Sequence, residues 1–247
     1  MKHTIIYELK QLLYPDDIKC IVCGREIIPN RYGLCNKCKI ELNENYCLCC
    51  GRHKVGVGDY CDECADMSVH FDEARSAVNY VDNAQNLVLR LKFGNSPYLA
   101  EYMSRYMLDT LLFTDWDIDC ITFVPLHKTR RRKRGYNQAE LLAAALAEYT
   151  DKPCSALLEK TVVTPTQARS NREERLKNLR GTFSVIGKPP RHLLLIDDVL
   201  TTGSTVDECS RVLKKAGAKV VYVLTFASVP ERPFLDKPTQ NIRDFRR

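Results

Sequence analysis

Two adjacent aspartates, Asp197 and Asp198, stand at the expected end of an apolar strand in the segment HLLLIDDVLTTGST. The turn that follows contains Thr201, Thr202, Gly203, Ser204 and Thr205 and opens a predicted helix. Backbone N–H groups at a helix N-terminus bind phosphate, and glycine lets the turn present them. The two carboxylates need donors or a cation, which a ribose diol and Mg²⁺ would supply. The spacing therefore predicts a ribose 5-phosphate site, and the alternative is a plain helix cap after a turn aspartate.

A run of basic residues follows another predicted strand, in the segment PLHKTRRRKRGYNQ. Ligands of parallel sheets bind at the carboxyl ends of the strands, so this basic loop is expected near the aspartates. Because guanidinium groups bind phosphate oxygens in pairs, we assign Arg131, Arg134 and Gly135 to a pyrophosphate loop. Some of these arginines could instead be solvated or bind nucleic acid. We expect the negative charge of the aspartates to be compensated partly by Mg²⁺ and partly by the basic residues of this loop.

A third charged segment, residues 164–180, has the length of a lid over a binding site. Its expected contact residues are Gln167, Arg169, Arg172 and Arg175. The alternative for this segment is an ordinary solvated helix.

Nine of the twelve cysteines lie between Cys20 and Cys64, where a reducing compartment would not keep them as disulfides. The segment CIVCGRE recurs as CLCCGRH, and a further C-x-x-C pair follows each copy. Four such pairs predict two fully coordinated, structural zinc sites. We assign the first to Cys20, Cys23, Cys35 and Cys38 and the second to Cys47, Cys50, Cys61 and Cys64. Cys49 and His53 are surplus, so a replaced ligand or a crossed pairing stays open.

The remaining pattern predicts an α/β fold. Near-continuous apolar strands such as RHLLLID and KVVYVLTFAS alternate with amphipathic helices, which is typical of a parallel sheet covered by helices. One helix is expected from about Asn83 to Phe93, stopping at Gly94. We expect three parts: a double zinc-ribbon module at residues 1–68, an α/β domain at 69–228 and a flexible basic tail at 229–247.

Length and composition exclude several classes of protein. The chain has 247 residues, of which 45% are hydrophobic and 28% charged, an ordinary globular composition. A net charge of +6 does not by itself demand a nucleic-acid partner. The first fifteen residues lack the apolar stretch of a signal peptide, and no apolar run approaches the roughly 20 residues of a membrane helix. We expect a cytoplasmic protein without membrane insertion.

Taken together, these motifs resemble a known family. IDDVLTTGST resembles the motif with which type I phosphoribosyltransferases bind 5-phosphoribosyl 1-pyrophosphate (PRPP). With the four C-x-x-C pairs, LRLKFGN, RGYNQAELLA and TQARSNREERLKNLRGTF, the chain resembles the ComF family from Cys20 to about Ser228. That family is linked to natural competence, the uptake of DNA for transformation.

The resemblance implies a type I phosphoribosyltransferase fold, a parallel sheet flanked by helices, behind a small N-terminal zinc-ribbon module. It implies PRPP and Mg²⁺ as ligands, with the aspartates at the ribose hydroxyls, the Thr-rich turn at the 5-phosphate, the loop around Arg134 at the pyrophosphate and residues 167–175 as the lid. Three functions then compete: a phosphoribosyltransferase with an unspecified acceptor, an adaptor that binds single-stranded DNA and competence-machinery proteins, and a PRPP sensor without turnover.

Overall fold

A computed structural model of the chain describes residues 18–54, 56–65, 68–162 and 178–230. The four expected lid residues, Gln167, Arg169, Arg172 and Arg175, lie outside these ranges, as does nearly all of the expected tail. The lid and the tail therefore stay predictions.

A four-stranded parallel sheet forms the centre of the α/β part. In spatial order its strands are β1 (Glu73–Asn79), β6 (Val220–Ser228), β5 (His192–Leu200) and β2 (Cys120–Phe123). All three neighbouring pairs are parallel. The central strands are apolar on both faces, and the four residues from Leu193 to Ile196 are fully buried. A further antiparallel pair, β3 (Leu158–Lys160) and β4 (Phe183–Val185), lies outside this sheet.

Helices flank the sheet, as the sequence predicts. They are α1 (Asp62–Ala65), α2 (Asp82–Phe93), α3 (Leu99–Leu112), α4 (Lys128–Arg134), α5 (Gln138–Thr150) and α6 (Ser204–Lys215). Helices α3 and α5 pack on each other and on the sheet, and α6 packs on β4, β5 and β6. Their contact faces contribute fully buried residues such as Met103, Leu142 and Leu213. Within the described ranges, no helix is both long and apolar enough to cross a bilayer.

Helix α4 corrects one expectation, because the basic run forms a helix and not a loop. Arginine and lysine are good helix formers, and mutual repulsion along an exposed helix is weakened by solvent. The side chain of His127 accepts a hydrogen bond from the backbone N–H of Thr129 (3.2 Å) at the start of the helix. Gly135, in a left-handed conformation, ends it and donates its N–H to the carbonyl of Arg131 (2.8 Å).

The cysteine-rich segment packs against the α/β part. Near its first half, the ring of Tyr32 stacks on Tyr106 of α3, with centroids 4.3 Å apart. Between its two halves, Leu42 forms an antiparallel bridge with Val78 on the outer edge of β1. The expected boundary at residue 68 stays a prediction, but the two parts on either side of it share these contacts.

Candidate ribose-phosphate site and metal centres

The aspartate pair lies inside β5, not after it. The strand continues to Leu200 on its β6 side, whereas β2 ends opposite Ile196. From Asp197 onward, β5 therefore has no hydrogen-bonded strand on its β2 side within the described ranges. The pair thus lies where one edge of the central strand opens, at the carboxyl end of the sheet, which is where parallel sheets bind ligands.

Asp198 has a lysine partner that the sequence motifs do not predict. Lys92, in the last turn of α2, places its Nζ 2.8 Å from Oδ1 of Asp198. Burial lowers the pKa of Lys92, but the contact with Asp198 and the charge of Asp197 outweigh burial and leave the pKa above its ordinary value. The expectation that the compensating cation is Mg²⁺ together with the Arg134 segment is therefore incomplete, because part of the compensation comes from Lys92.

The pKa of Asp197 lies well above the usual range of an aspartate. Burial and, to a smaller extent, the neighbouring charge of Asp198 raise its pKa to about 7, against the opposing effects of Lys92 and Lys160. Lys92 thus contacts one of two adjacent carboxylates. A polarised hydroxyl or a cation brought to this edge would meet an incompletely neutralised acceptor.

The RGYNQ motif holds the segment that carries Lys92. The hydroxyl of Tyr136 donates to the carbonyl of Leu91 (2.8 Å), and the amide nitrogen of Gln138 approaches the same oxygen at 3.4 Å. The carbonyls of a last helical turn lack partners within the helix, so these side chains satisfy one of them. Residues of RGYNQ thus hold the last turn of α2, in the motif LRLKFGN, from which Lys92 contacts Asp198. The signal in the sequence that could have identified Lys92 is its place in LRLKFGN, one of the motifs that resemble the ComF family.

The Thr-rich turn forms the start of α6. Gly203 stands directly before the helix with φ 76° and ψ −7°, a left-handed conformation that glycine adopts without strain. A Cβ there would meet nothing within 4 Å, so glycine is required for the backbone conformation and not for space. Ser204 is buried, with its Oγ 2.9 Å from Oγ1 of Thr202, whereas Thr201 is exposed. The turn and the first N–H groups of a twelve-residue helix thus follow the aspartates directly.

The expected pyrophosphate residues separate into two environments. Burial lowers the pKa of Arg134, while the charge of Asp198 acts in the opposite direction. The guanidinium of Arg134 is therefore near enough to interact electrostatically with Asp198. It lies 5.1 Å from the ring centroid of Phe93 and donates to the side chain of Gln138. Arg131, by contrast, pairs with Glu140 of α5 at 3.0 Å. The structure therefore brings Arg134 toward the aspartates and engages Arg131 elsewhere, with Gly135 at the end of α4.

The cysteines form two quartets with the sequential pairing. All four Sγ atoms within each quartet lie within 4.8 Å of one another. The Sγ atoms of Cys23 and Cys35 are 3.7 Å apart, as are those of Cys50 and Cys61. Tetrahedral zinc with Zn–S bonds of about 2.3 Å requires S···S distances of about 3.8 Å. The quartets therefore fit structural zinc, and they form without Cys49 and His53.

The backbone around Cys20 of the first quartet favours its thiolate. Burial raises the pKa of Cys20, but backbone N–H groups, including those of Cys23 and Cys35, outweigh it and hold the pKa at about 6. Zinc binds the deprotonated thiol, so this local arrangement suits a metal ligand.

Comparison with known protein families agrees with the zinc-ribbon module. A family model described as "Double zinc ribbon domain" matches residues 9–65. Solved structures with similarity include glutamine PRPP amidotransferase from B. subtilis (TM-score 0.36, 22% identity, 53% of this chain and 26% of that chain). Another is adenine phosphoribosyltransferase from Leishmania tarentolae (TM-score 0.34, 18% identity, 58% and 62%). The expected parallel sheet flanked by helices is confirmed, as is the small N-terminal zinc-ribbon module.

Curated relatives match along most of the chain. "Competence protein F" of Haemophilus influenzae is 29% identical over 218 residues, covering 84% of this chain and 95% of the relative. "DNA utilization protein YhgH" of Escherichia coli K12 is 29% identical over 213 residues (83% and 94%). "Competence protein ComFC" of Streptococcus pneumoniae is 27% identical over 227 residues (83% and 97%). The resemblance to the ComF family is therefore confirmed.

Proposed function

We propose that the chain binds PRPP with Mg²⁺ at the carboxyl end of β5 and acts in the uptake and handling of transforming DNA. The observation that carries the binding proposal is the unbroken sequence of aspartate pair, left-handed glycine turn and helix N-terminus at the open edge of β5. The names of the relatives, which refer to competence and to DNA utilization, support the biological role.

Each part of the proposed site has a separate task. The carboxylates of Asp197 and Asp198 accept hydrogen bonds from the ribose hydroxyls, and the backbone N–H groups of residues 201–205 bind the 5-phosphate. Arg134 faces the pyrophosphate side, with Gln167, Arg169, Arg172 and Arg175 as the proposed lid. Lys92 holds Asp198 in place and limits the repulsion between the two carboxylates.

The donor set fits a hard cation. Asp197 and Asp198 are adjacent carboxylates, and burial together with the charge of Asp198 raises the pKa of Asp197 to about 7, which a bound cation would oppose. Mg²⁺ prefers carboxylate and phosphate oxygens, and when bound it would neutralise charge on the pyrophosphate. The residues that would hold it with the substrate are Asp197 and Asp198.

Calorimetric titration with PRPP in the presence and absence of Mg²⁺ tests the proposal. Charge-assisted hydrogen bonds contribute about 1.5–3 kcal/mol each, so Asp197→Asn/Asp198→Asn should weaken binding by at least about 100-fold. Asp151→Asn, an exposed substitution after α5, is the matched control and should bind like the parent protein. Absence of PRPP binding by the parent protein at millimolar ligand would refute the site assignment.

Turnover separates an enzyme from a sensor. The zinc-replete protein is incubated with PRPP, Mg²⁺ and a panel of bases, amines and glutamine, and pyrophosphate release is measured. Release with one acceptor supports a phosphoribosyltransferase, in which a nitrogen nucleophile displaces pyrophosphate from C1. Tight binding without release from any acceptor supports a PRPP sensor.

A single-stranded DNA surface is a second candidate, favoured by exposed aromatic rings beside arginines. Phe93 is 74% exposed beneath Arg134, and Tyr98 is 52% exposed and accepts a hydrogen bond from Arg90 (2.8 Å). Aromatic rings and cations arranged in this way suit stacked bases and a phosphate backbone. Fluorescence titration with an oligonucleotide should show steep salt dependence and weaker binding for Phe93→Ala; unchanged affinity would exclude this surface.

A further inference from the structure

The duplicated C-x-x-C-G-R motif has diverged at its arginine. In the first copy Arg25 is exposed, whereas in the second copy Arg52 is only 6% exposed. A buried guanidinium must find hydrogen-bond partners because its desolvation is otherwise costly. The partners of Arg52 therefore indicate what the second ribbon does that the first does not.

Arg52 bridges the second cysteine quartet and the phosphate turn. Its Nη1 donates to the backbone carbonyl of Thr201 (3.3 Å), and its Nη2 lies 3.9 Å from Sγ of Cys61. A single planar guanidinium thus contacts a metal-ligand sulfur of the second quartet and the first residue of the proposed 5-phosphate site. Four thiolates outweigh the charge of one divalent ion, so the quartet attracts the guanidinium whether or not the phosphate turn is occupied.

The ribbon around Arg52 is held firmly against the sheet. A Cβ on Gly51 would lie 2.4 Å from the carbonyl oxygen of Ala74, so the ribbon backbone rests directly on β1. The side chain of Asn43 donates to the carbonyls of Gly51 (2.7 Å) and Ser76 (3.2 Å). The backbone that carries Arg52 is therefore held against β1, and the position of its guanidinium depends on the position of the second quartet.

The contact with the Thr201 carbonyl has a direct consequence for the phosphate turn. In a trans peptide the C=O of one residue and the N–H of the next point to opposite sides. A guanidinium that fixes the carbonyl of Thr201 therefore also fixes the direction of the Thr202 N–H, which is turned away from the arginine. The orientation of one proposed phosphate donor thus depends on a side chain of the zinc ribbon.

We propose that Arg52 is a positioning residue that couples the second cysteine quartet to the phosphate turn, so that the ribbon forms part of the sugar-phosphate site. The effect on ligand affinity rests on the proposed PRPP site, whereas the ordering of the turn does not. By reciprocity, phosphate-site ligands should raise the zinc affinity of the second quartet, and an intact second quartet should favour ligand binding.

Hydrogen exchange of the unliganded, zinc-replete protein tests the coupling without any assumption about PRPP. In Arg52→Met, exchange of the amides of residues 202–205 should be at least about fivefold faster, the lower end of ordinary coupling between sites. Arg25→Met, the same change in the first copy of the motif, should leave these amides unchanged. Equal exchange in the parent protein and Arg52→Met, or equal acceleration in both variants, would overturn the proposal.

Metal content guards against a trivial loss of the ribbon. Where Arg52→Met fails to retain two zinc ions, Arg52→Lys replaces it, because the ammonium keeps the charge but lacks the planar fork whose two nitrogens contact Sγ of Cys61 and the carbonyl of Thr201. The lysine variant should retain both ions and still show faster exchange at residues 202–205. Full protection of the turn in a two-zinc Arg52→Lys protein would overturn the proposal equally.

PRPP titration of the same proteins then separates the two claims. If the parent protein binds PRPP, Arg52→Met should bind at least about fivefold more weakly and Arg25→Met should not differ. If the parent protein does not bind PRPP, the proposed function fails, and the exchange data alone decide whether Arg52 orders the turn.

Discussion

Replacing Lys92 by methionine removes the direct cationic partner of Asp198 while keeping the length and helix propensity of the side chain. With Nζ 2.8 Å from Oδ1, the attraction is about 6 kcal/mol at an effective dielectric constant of about 20. Part of this is offset by desolvation of the lysine, whose side chain is 24% exposed against 11% for the aspartate. Removing one partner of a buried pair costs about 3–5 kcal/mol, and partial exposure favours the lower end, about 3 kcal/mol.

The loss should depend on pH in a defined direction. The pKa of Asp197 is about 7 in the parent protein, and it should rise further in the variant because Lys92 lowers it. Above this raised pKa, Asp197 is ionised beside Asp198 without the lysine. As the pH falls through this value, a proton relieves the repulsion and the cost of the substitution should shrink. We therefore expect a loss of about 3 kcal/mol in the free energy of unfolding at pH 8 and less than about half of that at pH 5.

Urea unfolding at the two pH values measures this, with Lys215→Met as the matched control. Lys215 also lies in the last turn of a helix but is exposed, so its replacement should change stability by less than about 0.5 kcal/mol. A double-mutant cycle with Asp198→Asn should give a coupling of at least about 1.5 kcal/mol. A Lys92→Met protein as stable as the Lys215→Met protein at pH 8 would refute the assignment of Lys92 as a stabilising partner.

Three further predictions concern the metal ribbons and the aspartate pair. Gly51→Ala should have a clearly lower melting temperature than Gly24→Ala. Both glycines have positive φ, but only a Cβ at Gly51 would collide with the Ala74 carbonyl. Equal melting temperatures would contradict the docking of the second ribbon on β1. Because the pKa of Asp197 is raised to about 7, the folded state holds a proton that the unfolded chain releases near pH 4, so stability should fall between about pH 4 and pH 7. Asp197→Asn should flatten this slope, and an unchanged slope would contradict the assignment. Chelation of zinc should unfold the ribbons, measured by loss of amide protection around Cys20 and Cys47, since such sites supply on the order of 10–16 kcal/mol each; full protection without metal would argue against structural zinc.

The sequence predicts the parts of this protein whose signals are local. The apolar strands, the helix that ends at Gly94 and the cysteine spacing all depend on neighbours within a few residues, and the sheet, α2 and the two quartets follow them. Helix α4 differs from the expected loop, because a dense run of like charges is more typical of a solvated loop than of a helix. The spacing of apolar residues does not reveal the residues that begin and end this helix, His127 and Gly135.

The candidate site is harder to predict because its partners come from distant segments. Lys92 reaches Asp198 only because α2 ends at the carboxyl edge of the sheet and Tyr136 holds its last turn there. Arg52 reaches Thr201 only because the second ribbon lies on β1. The pattern around either residue carries no sign of these contacts, which arise from the packing of the whole fold.

The antiparallel bridge between Leu42 and Val78 bears on how the protein behaves in a cell short of zinc. The backbone N–H of Asn43 donates to the carbonyl of Ala77 (3.1 Å), and that of Asn79 donates to Glu41 (2.9 Å), so the connector between the ribbons covers the outer edge of β1. An uncovered edge strand is a template for pairing with another chain. A shortage of zinc would then unfold the ribbons and also uncover the edge of β1. The zinc-depleted protein should self-associate through this edge, so the concentration of monomer would depend on the supply of zinc.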